Sequence, residues 1–201
     1  DKLSDAELVV EKDSSFEITL SRERRGKNWL KVEEETSLLI VRQTFADRTS
    51  EVPAELSIIN TAGRQVPGPL SPARLDEGLK TAALFVGGSS FLFTKWARGF
   101  KKHPNLLPQF DPAISMAAGG DDSIIYYHSY WKLEEDESLV IEVQPPDCDN
   151  WNFQLNNYWM ESLDYRHHRI SINKHQAVVE ANGLVRVIVA HGDPGLPNCL
   201  D

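Results

Sequence analysis

Several features that would assign this sequence to a familiar class of protein are absent. It has only two cysteines, Cys148 and Cys199, and they lack the C-x-x-C spacing of a redox motif or a zinc knuckle. No stretch reaches the roughly 18 consecutive apolar residues that a membrane-spanning helix requires. No Asn-x-Ser/Thr glycosylation site occurs, which favours a cytoplasmic over a secreted protein. The sequence therefore predicts a soluble protein with no membrane span.

An excess of basic residues is also lacking. The formal net charge is -9, and the two basic clusters, Arg22–Arg25 and Lys101–His103, are short. Nucleic-acid binders need a basic surface to neutralise phosphates, so nucleic acid is not an expected partner. The hydrophobic share of 41% and the charged share of 25% are typical of a globular protein. We expect residues 1–201 to form a single domain, cut from a longer chain that begins before Asp1.

The pattern of apolar residues predicts many short strands without regular βαβ alternation. Such a pattern favours a mainly β fold, an antiparallel β-sandwich or jelly roll. An Asn182-Gly183 turn predicts a hairpin between two of the last strands. The predicted strands lie around residues 16–20, 38–41, 56–59, 124–131, 139–143, 151–156, 169–173, 178–179 and 185–190.

One segment, at about 71–102, predicts a helical insertion in this β fold. Ser71 followed by Pro72 is a typical helix start, and His103-Pro104 ends the pattern. The apolar residues follow a spacing of three to four, which predicts one long helix or two helices joined at Gly87-Gly88. Residues 105–120 are predicted to be a connection. We expect the apolar stripe to pack on the sheet through Leu75, Leu79, Val86, Trp96 and Phe100.

The C-terminal half carries long motifs that resemble a known family. They are WNFQLNNYWMESLDYR at 151–166, ISINKH at 170–175 and VAHGDPGLPN at 189–198, with YYHSYW at 126–131 upstream. These motifs resemble those of the family called domain of unknown function 1214. The similarity runs from about Asn28 to the C-terminus.

The resemblance implies a β-sandwich that is often joined to a second uncharacterised domain, and it implies no defined activity. This sequence departs from the family pattern at two positions. Members usually carry arginine where this chain has Gly192, and tryptophan where it has Cys199. If that arginine binds an anionic ligand in relatives, this chain lacks that function unless Arg166 or Arg186 substitutes for it.

The strand at 151–156 carries the clearest candidate for a binding site. Its apolar residues alternate with three carboxamides, so strand geometry places the carboxamides on one face, opposite the core. Carboxamides supply both donors and acceptors for a polar small molecule or a glycan, although a solvated sheet face would show the same pattern. The predicted ligand-binding residues are Asn152, Gln154, Asn156, Tyr158, His128, Tyr130 and Arg166.

Two alternatives to ligand binding remain open. The first is a hydrolase or lyase that uses His191, Asp193, Glu161 and His175 for acid–base catalysis, because histidine titrates near neutrality and a carboxylate would orient it. The second is a structural domain that packs on the missing parts of its own chain. No metal-ligand spacing is present, so the sequence predicts neither a metal nor another cofactor. The oligomeric state is open.

Overall fold

The computed structural model describes residues 1–61, 63 and 68–201, and it divides into two compact units. Unit 1 comprises Asp1–Thr44 and unit 2 comprises Phe45–Asp201. The expectation of a single domain over 1–201 stays a prediction. Within the described residues, no helix combines the length and the apolar character needed to cross a lipid bilayer.

Unit 1 is organised around two short strands and one buried asparagine. Strands β1 (Thr19–Ser21) and β2 (Trp29–Lys31) pair in parallel, with Thr19 opposite Trp29. The chain turns between them at Gly26, whose φ of 74° lies in the left-handed region that glycine adopts without strain. The side chain of Asn28 is buried and bonds to the backbone N–H and carbonyl of Val9 at 2.7 and 2.8 Å. This asparagine therefore fixes the preceding segment against the strand pair.

Unit 2 contains a three-stranded sheet in the order β3-β6-β7. Strand β3 (Leu139–Val143) pairs antiparallel with β6 (Val185–Val189) over the full length of both, and β7 (Cys199–Leu200) pairs in parallel with β6. The β-branched residues of β6 suit a buried strand. The turn before β6 includes Gly183, which has a φ of 84°, and an antiparallel bridge joins Val179 to Val185. The predicted hairpin turn at Asn182-Gly183 is thus confirmed.

A second, two-stranded sheet contributes residues to the same core. Strands β4 (Asn152–Gln154) and β5 (Ser171–Asn173) are antiparallel, with Phe153 opposite Ile172. Trp151 and Phe153 are half-buried and Leu155 is buried, so the predicted core face of this strand is confirmed. The apolar cluster joins both sheets through Leu155, Ile170, Ile172, Val185, Val187, Val189 and Leu200.

Two helices precede these sheets in the chain. Helix α1 (Pro72–Phe100) confirms the predicted helical insertion, and it is one continuous helix through Gly87-Gly88. Ser71 caps its N-terminus, because the hydroxyl oxygen accepts a hydrogen bond from the N–H of Arg74 at 3.3 Å. Helix α2 (Pro112–Ala117) lies within the segment predicted to be a connection. The Asp111 carboxylate caps α2, and this helix-capping residue followed by proline is a usable signal in the sequence.

The fold is therefore β-containing, with seven short strands and two helices in the described residues, and none of its sheets closes. The sandwich and jelly-roll assignments stay predictions. The strands expected at 38–41 and 56–59 are absent, and their apolar side chains are exposed. Residues 124–131 form only single bridges, such as the one between Gln109 and Tyr127. A strand requires a partner for its backbone groups, and these segments have no adjacent ladder in the described residues.

The predicted packing of α1 on the sheet is wrong for most of its length. Leu75, Leu79 and Val86 are exposed, and α1 makes no extensive contact with a described strand. Only the C-terminal end is covered, where Trp96 and Phe100 contact the ring of Phe110 edge-on at centroid distances of 5.4 and 5.8 Å. Helical periodicity identified an apolar surface that needs cover, but it carries no information about which element provides that cover.

The position of β6 in the core predicts a large difference between two valines. Val187 is 0% exposed on β6, whereas Val140 is 52% exposed on the partner strand β3. We expect Val187→Ala to lower the free energy of unfolding by about 2 kcal/mol, because it removes buried methyl groups and leaves a cavity. Val140→Ala is the matched control and should change stability by less than about 0.5 kcal/mol. Chemical denaturation of both variants measures this difference, and equal losses would contradict the assigned core.

Candidate functional site

The three predicted carboxamides lie along β4 and the residues that follow it. Asn152 and Gln154 are exposed and Asn156 is half-buried. The Gln154 amide donates to the Asn156 side-chain oxygen at 3.0 Å, so these two side chains are neighbours. The Asn152 side chain has no hydrogen bond to another described residue. The structure thus presents an open polar surface, here called the carboxamide face and defined as Asn152, Gln154 and Asn156.

The strand opposite the carboxamide face extends its polar character but has a structural task. Asn173 lies opposite Asn152, and Ser171 lies opposite Gln154. The Asn173 amide donates to the carbonyl of Ala46 at 2.8 Å, and its oxygen accepts from the N–H of His175 at 3.0 Å. Because Asn173 is held by the backbone on both sides, the exposed polar groups of this sheet are those of β4 and Ser171.

A loop carrying two aromatic residues follows directly after the carboxamide face. Asn156 forms a bridge with Ser162, which closes the loop 157–161. Inside it, the side-chain oxygen of Asn157 accepts from the N–H groups of Trp159 and Glu161 at 2.9 and 3.0 Å. These hydrogen bonds fix the loop from within. We call residues 157–161 the aromatic loop, because it carries Tyr158 and Trp159.

The aromatic loop also brings together two of the predicted ligand residues. The rings of Tyr158 and Tyr130 meet edge-on at 6.4 Å, and the ring of Trp159 is 5.2 Å from that of Tyr158. The Lys101 ammonium lies 5.7 Å from the centre of the Tyr130 ring, within range of a cation–π contact. Trp159 is 55% exposed. Sequence reasoning left Trp159 out, although its position next to Tyr158 was a usable signal.

His128 belongs to a different group of rings. It stacks on Phe100 at 4.7 Å and meets Phe110 edge-on at 4.8 Å, and its ring is parallel to that of Tyr126. Burial among these rings lowers the pKa of His128 below its usual value, because the charged form loses its hydration. No contact joins His128 to the carboxamide face in the described residues, and its surroundings are those of a packed core side chain.

Arg166 is engaged rather than available. Its guanidinium makes a two-pronged contact with Asp164, with Nε–Oδ1 and Nη2–Oδ2 distances of 2.8 Å each. The hydrogen bond from Arg166 lowers the pKa of Asp164, which therefore stays ionised near neutral pH. Arg186 is likewise paired, with Glu142 at 2.7 Å. Neither arginine is a free clamp for an anionic ligand, and Asp164 is a poor proton donor.

The four predicted acid–base residues do not form a constellation. Glu161 pairs with the amide of Asn157 at 2.7 Å inside the aromatic loop, and Asp193 accepts from the N–H of Gly195 at 2.8 Å in a turn. His175 and His191 are exposed. No hydrogen bond or ion pair links any two of the four in the part of the chain that the structure describes. Among all the residues that the structure describes, no group of three or more metal-ligating side chains is placed to hold an ion.

Two open concave surfaces in the described residues lie away from all these residues. One follows the first half of α1, between Arg74 and Phe85, and the other lies in unit 1 around Asn28 and Lys27. The second is built from backbone and from groups that are already paired, such as Lys27 with Glu11 at 3.0 Å. Neither contains a predicted site residue. The carboxamide face is an open surface and not a deep cleft.

Comparison with known proteins gives one informative similarity. The chain is similar to the protein in the crystal structure of an uncharacterized protein from Burkholderia cenocepacia, with 50% sequence identity and a TM-score of 0.94. The match covers 99% of this chain and 56% of that one, so the chain spans little more than half the length of its relative. No family model and no curated protein matches the sequence. The comparison therefore supports the fold and assigns no activity.

The environment of His128 predicts that stability depends on pH. Its pKa is lowered in the folded state, so the unfolded chain binds the proton more readily as the pH falls below about 6.5. The contribution of His128 to stability should therefore be fully present above that pH and be lost over the interval of acidic pH below it. We expect His128→Phe, which keeps the ring stacking, to flatten the melting temperature over this interval. An unchanged slope in that variant would show that His128 is not the titrating group.

Proposed function

We propose that this chain belongs to the family called domain of unknown function 1214 and binds a neutral polar small molecule or a glycan. The proposed site is the carboxamide face together with Tyr158 and Trp159. The observation that carries the proposal is the exposure of two adjacent carboxamides beside a fixed loop that holds an exposed tryptophan. A β-sandwich or jelly roll, with the core between the two sheets of unit 2, is the fold proposed with it.

The chemistry of the two parts is complementary. Each carboxamide offers donors and an acceptor, which match the hydroxyl groups of a sugar. An exposed aromatic ring offers an apolar surface on which the C–H face of a sugar ring packs. The bridge between Asn156 and Ser162 connects the two parts directly. A ligand that contacts Trp159 would therefore lie near the end of the carboxamide face.

Charge favours a neutral ligand over an anionic one. Gly192 stands where the family usually has arginine, and Arg166 and Arg186 are paired with carboxylates. The net charge of -9 also opposes the approach of anions. An acid–base enzyme is the weaker proposal, because its four candidate residues are exposed or tied to turns and are not bonded to one another.

A titration with neutral disaccharides tests this proposal. We expect cellobiose, maltose or N,N′-diacetylchitobiose to shift amide resonances of residues 152–159 in a heteronuclear NMR spectrum of the chain. Trp159→Ala should weaken that binding by about tenfold, since an aromatic contact contributes on the order of 1 kcal/mol. Tyr165→Ala is the matched control, because Tyr165 is also an exposed aromatic residue but lies outside the loop.

Two results would contradict the proposal. The first is the absence of any shift at residues 152–159 with all three sugars at millimolar concentration. The second is binding that Trp159→Ala and the double variant Asn152→Leu, Gln154→Leu leave unchanged. Either result would leave the carboxamide face as a solvated sheet surface.

A further inference from the structure

Helix α1 is exposed along most of its length. It runs for 29 residues, and Ala97 near its C-terminal end is its only buried residue. Its large apolar side chains are exposed along most of its length, by 77% at Leu84 and 74% at Phe85. Isolated helices are marginally stable in water, and most helical stability in proteins comes from packing of an apolar face. Something outside the described contacts must therefore cover this helix.

The middle of α1 carries large apolar side chains on more than one side. Residues 81–94 contain no charged side chain. At 100° per residue, Val86, Phe85 and Leu84 point in three widely separated directions around the helix axis. A helix with a single apolar stripe lies on a surface, but one that is apolar all round is enclosed. The pattern therefore indicates contact on several sides and not on one face alone.

The C-terminal end of α1 shows how the helix is held by its own chain. Trp96 and Phe100 pack against Phe110, and Phe100 stacks on His128. This aromatic contact anchors the last turns and leaves residues 72–93 without comparable cover. The part of α1 that lacks cover is thus residues 72–93, which is most of the helix.

We propose that residues 72–93 of α1 are enclosed by a polypeptide equivalent to the part of the Burkholderia cenocepacia protein that lies outside the match. That protein shares this fold with a TM-score of 0.94, yet the matched region is only 56% of its chain. A relative with the same fold thus carries a further part of its chain outside the match. This inference is independent of the proposed ligand site on the carboxamide face.

The helix also indicates the character of this partner surface. The partner surface is expected to be apolar where it contacts Leu79, Val86 and Phe91. It should carry charged groups of both signs at its rim, where α1 carries Arg74, Glu77 and Lys80. Gly87 and Gly88 have no neighbouring atoms within 4 Å of where a Cβ would be. Small residues at the centre of an enclosed helix permit a second backbone to approach closely. A partner element is therefore expected to cross α1 near these two glycines.

Hydrogen exchange on two existing proteins tests the proposal first. In the 201-residue chain alone, the α1 amides of residues 75–93 should exchange rapidly, whereas the aligned helix of the full-length Burkholderia cenocepacia protein should be protected at least about 100-fold more. The amides of β6 and of the strand aligned with it provide the internal reference. Equal, fast exchange of the helix in both proteins would overturn the proposal.

A substitution in a longer protein tests it independently. In a chimera in which this chain replaces the matched region of the Burkholderia cenocepacia protein, Gly88→Ala should lower the melting temperature, because the new methyl group meets the partner. In the 201-residue chain alone, the same change should raise helix stability slightly, as alanine is the better helix former. Gly99→Ala, equally open in α1 but outside residues 72–93, is the control.

Three further outcomes would overturn the proposal in favour of another occupant or none. Protection of α1 in the chain alone that increases with concentration, together with dimers in sedimentation, would assign the helix to a second copy. Protection that appears only with phospholipid vesicles would assign it to a membrane surface. A stabilising Gly88→Ala in the chimera would show an uncovered helix.

Discussion

The structure of unit 2 depends on the pairing of β6 with its two neighbours. The backbone of Val185–Val189 is bonded to β3 along one edge and to β7 along the other. Because β6 is the central strand, all of its side chains except that of Arg186 are buried, and Val185 and Val187 are inaccessible to solvent. Burial of β-branched side chains on a strand bonded on both sides contributes hydrophobic free energy and fixes the register together. The second sheet and the C-terminus are positioned by contact with this strand.

The candidate site depends on β6 through the second sheet. Ile172 on β5 and Leu155 after β4 lie in the cluster around β6, and their burial decides which face of β4 meets solvent. A shift of β4 by one residue would bury the carboxamides and expose Trp151 and Phe153. The carboxamide face is therefore a consequence of core packing, whatever ligand it binds. Asn198, with its side chain bonded to Val178 and to the carbonyl of Arg186, ties the last strand to the same core.

Local signals in the sequence predicted those elements whose partners are close in space and regular in pattern. The alternation of 139–143 and of 151–155 predicted β3 and the core face of β4, and the Ser71-Pro72 cap predicted the start of α1. The prediction of strands at 38–41 and 56–59 was wrong, because an apolar composition does not show that a neighbouring strand is present. The prediction that α1 packs on the sheet was wrong for the same reason. Periodicity shows that a surface needs cover, and only the tertiary contacts show what provides it.

Several residues of the candidate site could be predicted from the sequence, but the contacts between their side chains could not. Strand alternation placed Asn152 and Gln154 correctly on the exposed face, and the pairing of Tyr130 with Tyr158 joined two of the predicted residues. The pairing of Arg166 with Asp164 and the tie of Glu161 to Asn157 are side-chain contacts over two to four residues. Turn geometry determines such contacts, and residue spacing alone does not reveal them.

Strand β6 and its partners form the buried core of unit 2, and we propose that α1 is stabilised from outside it. Native-state hydrogen exchange of the 201-residue chain, with individual amides resolved by NMR, measures this directly. The account predicts that the slowest amides are those of Val187 and Val189 and of the strands paired with them. The amides of residues 75–93 should exchange faster, through local opening of a much lower free energy. Amides of α1 that exchange as slowly as those of β6, in a chain shown to be monomeric, would contradict it.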